Sequence, residues 1–290
     1  MVDPVPPIGP DRYLTRGRVR ELLDRHGLAP SRALGQNFLC DPGTINKIVR
    51  LANVGPSDRV VEIGAGLGSL TVGLAATGAE VVALEIDRHL IPALHETVDG
   101  LGVEVHEADA RTFDWGRLGT DSWHVVANLP YNIATPLVLD LLAAQPQLDR
   151  WLVMVQREAG ERLVAGPGSK IYGIPSVLTA LWAEARIVAS VSAELFLPRP
   201  KVESVLVEIV RHPVPPVELA GGDTDTVIKL VRAGFGQRRK MLRRSLAAHC
   251  TVEDLERAGI APTARAEELG VEQWLGLAAT CTDTHHADEG

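Results

Sequence analysis

The segment "EIGAGLGSLT", residues 62–71, sets Gly64, Gly66 and Gly68 at alternate positions behind an apolar run. Glycines at a strand-to-helix junction let backbone N–H groups approach a ligand closely. The spacing is G-x-G-x-G, not the G-x-G-x-x-G that cradles a pyrophosphate. Glu62, two residues earlier than Gly64, adds negative charge beside the loop, which disfavours a diphosphate and suits a cation such as a sulfonium. Glu85 ends the next apolar run, 21 residues after Gly64, where a carboxylate accepts hydrogen bonds from ribose hydroxyls. Asp109 closes the third run, in reach of an adenine amino group. The fourth run ends in Asn128-Leu129-Pro130-Tyr131. An Asn amide oxygen and the neighbouring carbonyl accept both hydrogens of an exocyclic amine and aim its lone pair at an electrophile. Pro130 fixes φ, and Tyr131 can stack on a flipped base, worth about 1–3 kcal/mol. The chemistry this describes is methyl transfer from a sulfonium nucleoside to an aromatic amine, with carbonyl oxygens stabilising the charge that builds on nitrogen. Each feature alone also fits a tight turn or a solvated carboxylate. Glycines and acids at successive strand ends on one rim favour the site.

Such a rim needs parallel strands that end together, and the chain supplies the pattern. Strand-like runs at 59–63, 80–86, 103–108, 124–128 and 150–155 alternate with helical runs at 67–76, 88–98, 134–143 and 156–164. The strands lack clean polar alternation, as expected when both faces are covered. This predicts a doubly wound α/β sheet. Two later runs, 185–192 and 202–211, are joined by a loop too short for a helical crossover, which predicts an antiparallel pair. Ahead of the sheet, Val19, Leu22 and Leu23 have helical spacing, and Asp41-Pro42 reads as an N-cap and first position of a helix burying Ile45, Ile48, Val49 and Ala52. A proline-rich break follows residue 211. After it, 223–247, 252–258 and 271–279 read as helices. The expected organisation is a flexible 1–15, a catalytic domain over 16–211, a small helical domain over 219–280 and a polar tail over 281–290.

The 290 residues are 46% hydrophobic and 23% charged, enough for a large core or for a larger and a smaller domain. No apolar run is long enough for a membrane span, and the first residues lack the apolar stretch of a secretory signal. Three widely spaced cysteines, Cys40, Cys250 and Cys281, suggest neither a disulfide framework nor a zinc motif, which points to the cytoplasm. The histidines are not paired at ligand spacing, and methyl transfer requires no metal. A net charge of −8 argues against nonspecific coating of nucleic acid. Against that background Arg238, Arg239, Lys240, Arg243 and Arg244 are concentrated in one stretch. On a helix Arg239 and Arg243 share a face, as do Lys240 and Arg244. This reads as an RNA phosphate footprint.

In order along the chain, "QNFLCD", "EIGAGLGSLT", "LEID", "NLPYNIATP", "MVQREAGERLVAGPGSKIYG", "FLPRPKVES" and "GFGQRRKMLRRSL" resemble the ribosomal RNA adenine dimethyltransferases of the KsgA/RsmA type. The likeness runs from about residue 35 to residue 275. It implies a Rossmann-like class I S-adenosylmethionine-dependent methyltransferase fold with a small C-terminal helical domain. It implies a monomer that acts on 16S rRNA in the immature small ribosomal subunit, making N6,N6-dimethyladenosine at two adjacent adenosines of the 3′-terminal hairpin. By position, Asn37 and Leu39 contact S-adenosylmethionine, Gly64 lies against its methionine part, Glu85 on the ribose, Asp109 on the adenine and Asn128 near the sulfonium. Asn128, Leu129, Pro130 and Tyr131 form the catalytic motif, and Phe196 covers the other face of the target base. The alternatives are an Erm-like adenine methyltransferase of 23S rRNA and a noncatalytic ribosome-assembly or transcription factor on the same scaffold.

Overall fold

A computed structural model describes residues 12–216 and 223–287. The chain enters through α1 (Arg16–Arg25), capped by the Thr15 hydroxyl, which accepts from the Arg18 N–H. Helix α1 buries Val19, Leu22 and Leu23, and Leu14 joins the same cluster, so order begins inside the segment expected to be flexible; residues 1–11 of it lie outside the described residues. β1 (Phe38–Leu39) leads into α2 (Pro42–Ala52), whose first turn is closed by Asp41 Oδ2 accepting from the Thr44 N–H at 2.7 Å. Helix α2 buries Ile45, Ile48 and Ala52 against the sheet, as its spacing requires.

The sheet follows as β2 (Arg59–Ile63), α3 (Ser69–Ala75), β3 (Glu80–Glu85), α4 (Ile91–Val98), β4 (Glu104–Glu107), β5 (Trp123–Asn128), α5 (Ala134–Ala144), β6 (Leu148–Gln156), α6 (Arg157–Val164), α7 (Ile174–Ala180), β7 (Ala183–Val191), β8 (Phe196–Leu197) and β9 (Ser204–Arg211). Its order is β4-β3-β2-β5-β6-β9-β7. Strands β4, β3, β2, β5 and β6 are mutually parallel, and β9 runs antiparallel to β6. Only a short loop separates β8 from β9, and a parallel return would need a crossover of roughly a dozen residues or more. The expected late pair, β7 and β9, are neighbours. The strand order reverses between β2 and β5, so the ligand crevice of an open α/β sheet lies above the carboxyl ends of these two strands. β1 and β8 form a separate antiparallel pair, with Phe38 opposite Leu197 and Leu39 opposite Phe196. Cys40 beside it is a free, buried cysteine, its thiol pKa pushed up by burial.

The chain divides into two compact units, Met1–Gly160 with Arg186–Val210, and Glu161–Ala185 with Arg211–Gly290. The proline-rich break marks only the last of the three crossings between them. Residues 161–185, expected in the catalytic domain, belong to the helical unit: the Tyr172 hydroxyl donates to the Leu269 carbonyl at 2.8 Å and its ring meets Phe235 edge-on.

The helical unit adds α8 (Thr224–Gly236), α9 (Leu242–Ser245), α10 (Val252–Arg257) and α11 (Val271–Ala287). The helix expected over 223–247 is therefore interrupted. Gln237 leaves helical geometry at φ −126° and ψ 46°, and residues 237–241 form a turn. Gly234 lets α8 approach α11 closely, since a Cβ there would lie 2.8 Å from Trp274 Cη2. Helix α11 runs on through Ala287, into the segment expected to be a tail. Cys250 and Cys281 are joined in a disulfide, which corrects the expectation drawn from an odd, scattered cysteine count. Folding brings together two of the three, and sequence spacing carries no sign of it.

A candidate nucleoside and amine site at the switch point

Three segments meet where the strand order reverses. After β2 the glycine loop turns back over β3, with the Gly64 and Ala65 N–H groups donating to the Leu84 carbonyl at 2.8 and 3.1 Å. After β5, Pro130 turns the chain, and its carbonyl accepts from the Ile133 and Ala134 N–H groups to start α5. The strap Leu34–Leu39 crosses in front. Gly35 and Gly64, both at positive φ (65° and 76°), flank Pro130: a Cβ would lie 3.4 Å from Pro130 Cβ at the first and 3.7 Å from Pro130 Cδ at the second. Side chains at those glycines would close the space between strap, loop and turn.

The result is a cleft of about 720 Å³ open to solvent. Asn37, Leu39, Gly64, Glu85, Asn128, Leu129, Pro130 and Tyr131 all line it, as the sequence predicts. Glu85 is buried, and each carboxylate oxygen accepts one backbone hydrogen bond, Oε2 from Gly66 N–H at 2.7 Å and Oε1 from Asp87 N–H at 2.9 Å. Burial raises its pKa, and these donors oppose the rise. Each oxygen keeps capacity for a further donor, as recognition of a ribose requires. Glu62 also lines the cleft at 2% exposure, and burial pushes its carboxyl up to about 8.

The orientation of the Asn128 amide is set by its partner. Nδ2 donates to the Asn37 carbonyl at 3.1 Å, so the same bond ties β5 to the strap and leaves Oδ1 without a donor among the described residues. The Tyr131 hydroxyl is hydrogen-bonded to Ser204 Oγ at 2.7 Å, and burial raises its pKa, keeping it a neutral phenol. The Asn-Pro-Tyr segment is thus both a turn and a wall of the cleft.

Two predicted residues fall elsewhere. Phe196 is completely buried (0% exposed), packed in the core with Leu39 and Ile45 and outside the cleft lining. Asp109 lies two residues beyond β4 and outside the cleft lining; the Arg111 guanidinium grips both its oxygens and holds its pKa down. Sequence reasoning missed Phe38, Ser69 and Ser204. Phe38 forms the wall over Gly66, where a Cβ would meet its ring at 3.2 Å. Ser69 lines the cleft with a buried hydroxyl lacking a partner. Ser204 closes "FLPRPKVES", a signal that spacing alone did not connect to Tyr131.

The cleft walls fit an adenosyl sulfonium. They provide backbone approach at the glycines, ribose acceptors at Glu85, a second buried carboxyl at Glu62, and no lysine, arginine or histidine among the lining residues to attract phosphate. In the helical unit, Arg239, Lys240, Arg243 and Arg244 are exposed and have no ion-pair partner among the described residues. The first two sit on the 237–241 turn and the last two on α9, so they do not share one helical face. Arg238 differs: Nε donates to Glu267 Oε2 at 2.7 Å and a terminal nitrogen donates to the Lys170 carbonyl at 2.7 Å. It is a tie within the unit, not a free cation.

A family model described as ribosomal RNA adenine dimethylase matches residues 29–283. The chain is 45% identical over 276 residues to the ribosomal RNA small subunit methyltransferase A of Cutibacterium acnes, covering 89% of this chain and 91% of the relative. It is 42% identical over 277 residues to the protein of that name in Thermobifida fusca, covering 92% and 96%. Among solved structures, a dimethyladenosine transferase from Plasmodium falciparum superposes with TM-score 0.74 at 26% identity, over 86% of this chain and 98% of that one. The 23S rRNA methyltransferase ErmE superposes with TM-score 0.66 at 28% identity, over 85% and 100%.

Proposed function

The chain belongs to the ribosomal RNA adenine dimethylase family, and we propose that its substrate is the 16S rRNA of the immature small ribosomal subunit, where it dimethylates N6 of two adjacent adenosines in the 3′-terminal hairpin. It is an S-adenosylmethionine-dependent rRNA adenine dimethyltransferase. The observation that carries the mechanism is the Asn128 amide. With Nδ2 committed to the Asn37 carbonyl, the free Oδ1 accepts a hydrogen from the target amine and turns its lone pair toward the methyl donor. S-adenosylmethionine, when bound, supplies a methyl group on positively charged sulfur. Glu85 takes the ribose, and Gly64 and Leu39 border the methionine end. Tyr131 offers its face to the flipped base, held by Ser204. As positive charge builds on N6, Asn128 Oδ1 and the neighbouring backbone carbonyl stabilise it, which removes the need for a strong base. The same geometry accepts a monomethylated amine, which still has one hydrogen to donate.

Arg239, Lys240, Arg243 and Arg244 hold rRNA phosphates in this reading, and the enzyme works as a cytoplasmic monomer. No described helix is long and apolar enough to cross a membrane. The preference for the small subunit is supported by the names of the 42–45% identical relatives; ErmE shares the scaffold at lower identity. The test is tritiated methyl transfer to unmethylated small subunits and, separately, to large subunits, followed by mapping of the labelled base. Label in two adjacent adenosines of the small-subunit hairpin is expected. Label in large-subunit RNA would move the enzyme to the Erm-like reading, and no label in either would support a noncatalytic assembly role.

A further inference from the structure

Charge in the cleft is one-sided. Two buried carboxyl groups, Glu62 and Glu85, line it without any cationic side chain. Their surroundings differ. Glu85 has a backbone donor on each oxygen, whereas Glu62 Oε2 has none. The nearby Ser69 hydroxyl, buried in the same wall, also has no partner. Every element around Glu62 is neutral or acidic. Strand β3 presents Glu85 and, just beyond it, Asp87; α3 presents the hydroxyls of Ser69 and Thr71; β5 presents the Asn128 amide; the strap presents the amides of Gln36 and Asn37. The Thr71 hydroxyl is the one neighbour that favours its ionised form, and a carboxylate this deep with no cationic partner is costly, so it either keeps a proton or meets a cation.

We propose that Glu62 is the anchor for the ammonium group at the methionine end of the methyl donor, protonated in the free enzyme and ionised in the complex, so that each cofactor molecule bound expels one proton. This rests on the assignment of the cleft to S-adenosylmethionine. The step balances simply. The Glu62 carboxyl gives its proton to solvent, and the carboxylate pairs with an ammonium that was charged before binding and stays charged. Burial, helped by the neighbouring Glu85, keeps the empty-site carboxyl protonated at neutral pH. Cofactor affinity therefore rises with pH, by up to about tenfold per unit, while the free enzyme must lose a proton to bind.

Calorimetric titration at about pH 6.5, in two buffers of different ionisation enthalpy, counts the protons directly. The ligands are S-adenosylmethionine and 5′-methylthioadenosine, which lacks the methionine end. The expected result is release of about one proton with S-adenosylmethionine and none with 5′-methylthioadenosine. In Glu62→Gln the release and the pH dependence of affinity disappear. Should that variant fail to fold, the two-ligand comparison on the wild-type enzyme decides alone. Tight binding of S-adenosylmethionine without proton release overturns this inference and leaves the proposed function standing. Equal release with both ligands assigns the proton to the nucleoside end and also overturns it. Failure of S-adenosylmethionine to bind overturns the proposed function, and this inference with it.

Discussion

Replacing Asn128 by Ala should separate binding from chemistry, because the two ends of the side chain act differently. Nδ2 donates to the Asn37 carbonyl and holds the strap. One neutral hydrogen bond contributes about 0.5–1.5 kcal/mol, so the cofactor Kd should rise only about two- to thirteenfold. Oδ1 faces the developing charge, and removing one such group typically costs about 2.7–4 kcal/mol, a factor of about 10²–10³ in rate. The assay is single-turnover methyl transfer to unmethylated small subunits, with cofactor at a saturating concentration fixed beforehand by calorimetry. The expected outcome is a rate drop of about 10²–10³ at saturation and little change in RNA affinity. Asn128→Asp sharpens the test. It keeps an acceptor at the Oδ1 position but sets a second one against the Asn37 carbonyl, so its cofactor affinity should fall further than that of the Ala variant. A near wild-type rate for Asn128→Ala at saturation would refute the mechanism, since no other described side chain is assigned to the amine.

Glu85→Ala removes the acceptor from the Gly66 and Asp87 N–H groups as well as from the ribose; calorimetry should show S-adenosylmethionine affinity lower by about 1.5–3 kcal/mol, and an unchanged Kd would remove Glu85 from the site. Glu62→Gln should flatten the pH dependence of stability in the ligand-free protein: a carboxyl raised to about 8 in the folded state ionises first in the unfolded chain, so its stabilisation is full below an unfolded pKa of about 4.3 and is lost as pH rises through the folded value, at up to about 1.4 kcal/mol per unit. Denaturant titrations between about pH 5 and 8 test this, and equal slopes for variant and wild type would show that Glu62 is already ionised. Replacing Arg239, Lys240, Arg243 and Arg244 together by Gln should weaken subunit binding, leave cofactor binding unchanged, and flatten the slope of log affinity against log salt by about 0.7–0.9 for each phosphate that the variant no longer neutralises; equal salt slopes with both proteins folded would place the footprint elsewhere.

The sheet and the rim were legible because both depend on local order along the chain. Strand ends, glycines and caps are written in consecutive residues, and Glu85, Asn128 and the glycine loop took the places their spacing implied. What was not legible depended on packing between distant segments. Phe196 is buried in the core, and sequence gives an aromatic in a loop no mark of its burial. Asp109 has a strand-end position but a nearby arginine, Arg111, that occupies its carboxylate. The cluster after Gly236 looked helical by composition, yet the helix ends there and the cations are carried on a turn and the short helix after it. Cys250 and Cys281 are paired only by the packing of the helical unit. The assignment of residues 161–185 to that unit likewise rests on Tyr172 and its partners, which no composition shift announces.

In the proposed function the two ligands carry opposite charge, and the residues assigned to them lie in different units. A cationic methyl donor calls for a cleft with carboxyl groups and no basic side chain, which the sheet unit provides at Glu62 and Glu85. A polyanionic RNA calls for exposed cations without internal partners, which the helical unit provides at Arg239, Lys240, Arg243 and Arg244. Had the arginines lined the cleft, they would have neutralised the buried carboxyl groups and competed with the sulfonium. On that reading, a protein of net charge −8 holds RNA through a local cluster of cations. The separation also sets different salt responses. Exposed pairing with phosphate weakens steeply as salt rises, whereas ion pairing in a buried cleft is screened much less. Cofactor affinity that fell with salt as steeply as subunit affinity would place the positive footprint and the cofactor cleft in one electrostatic site, against the division of labour argued from Glu62 and the 237–241 turn.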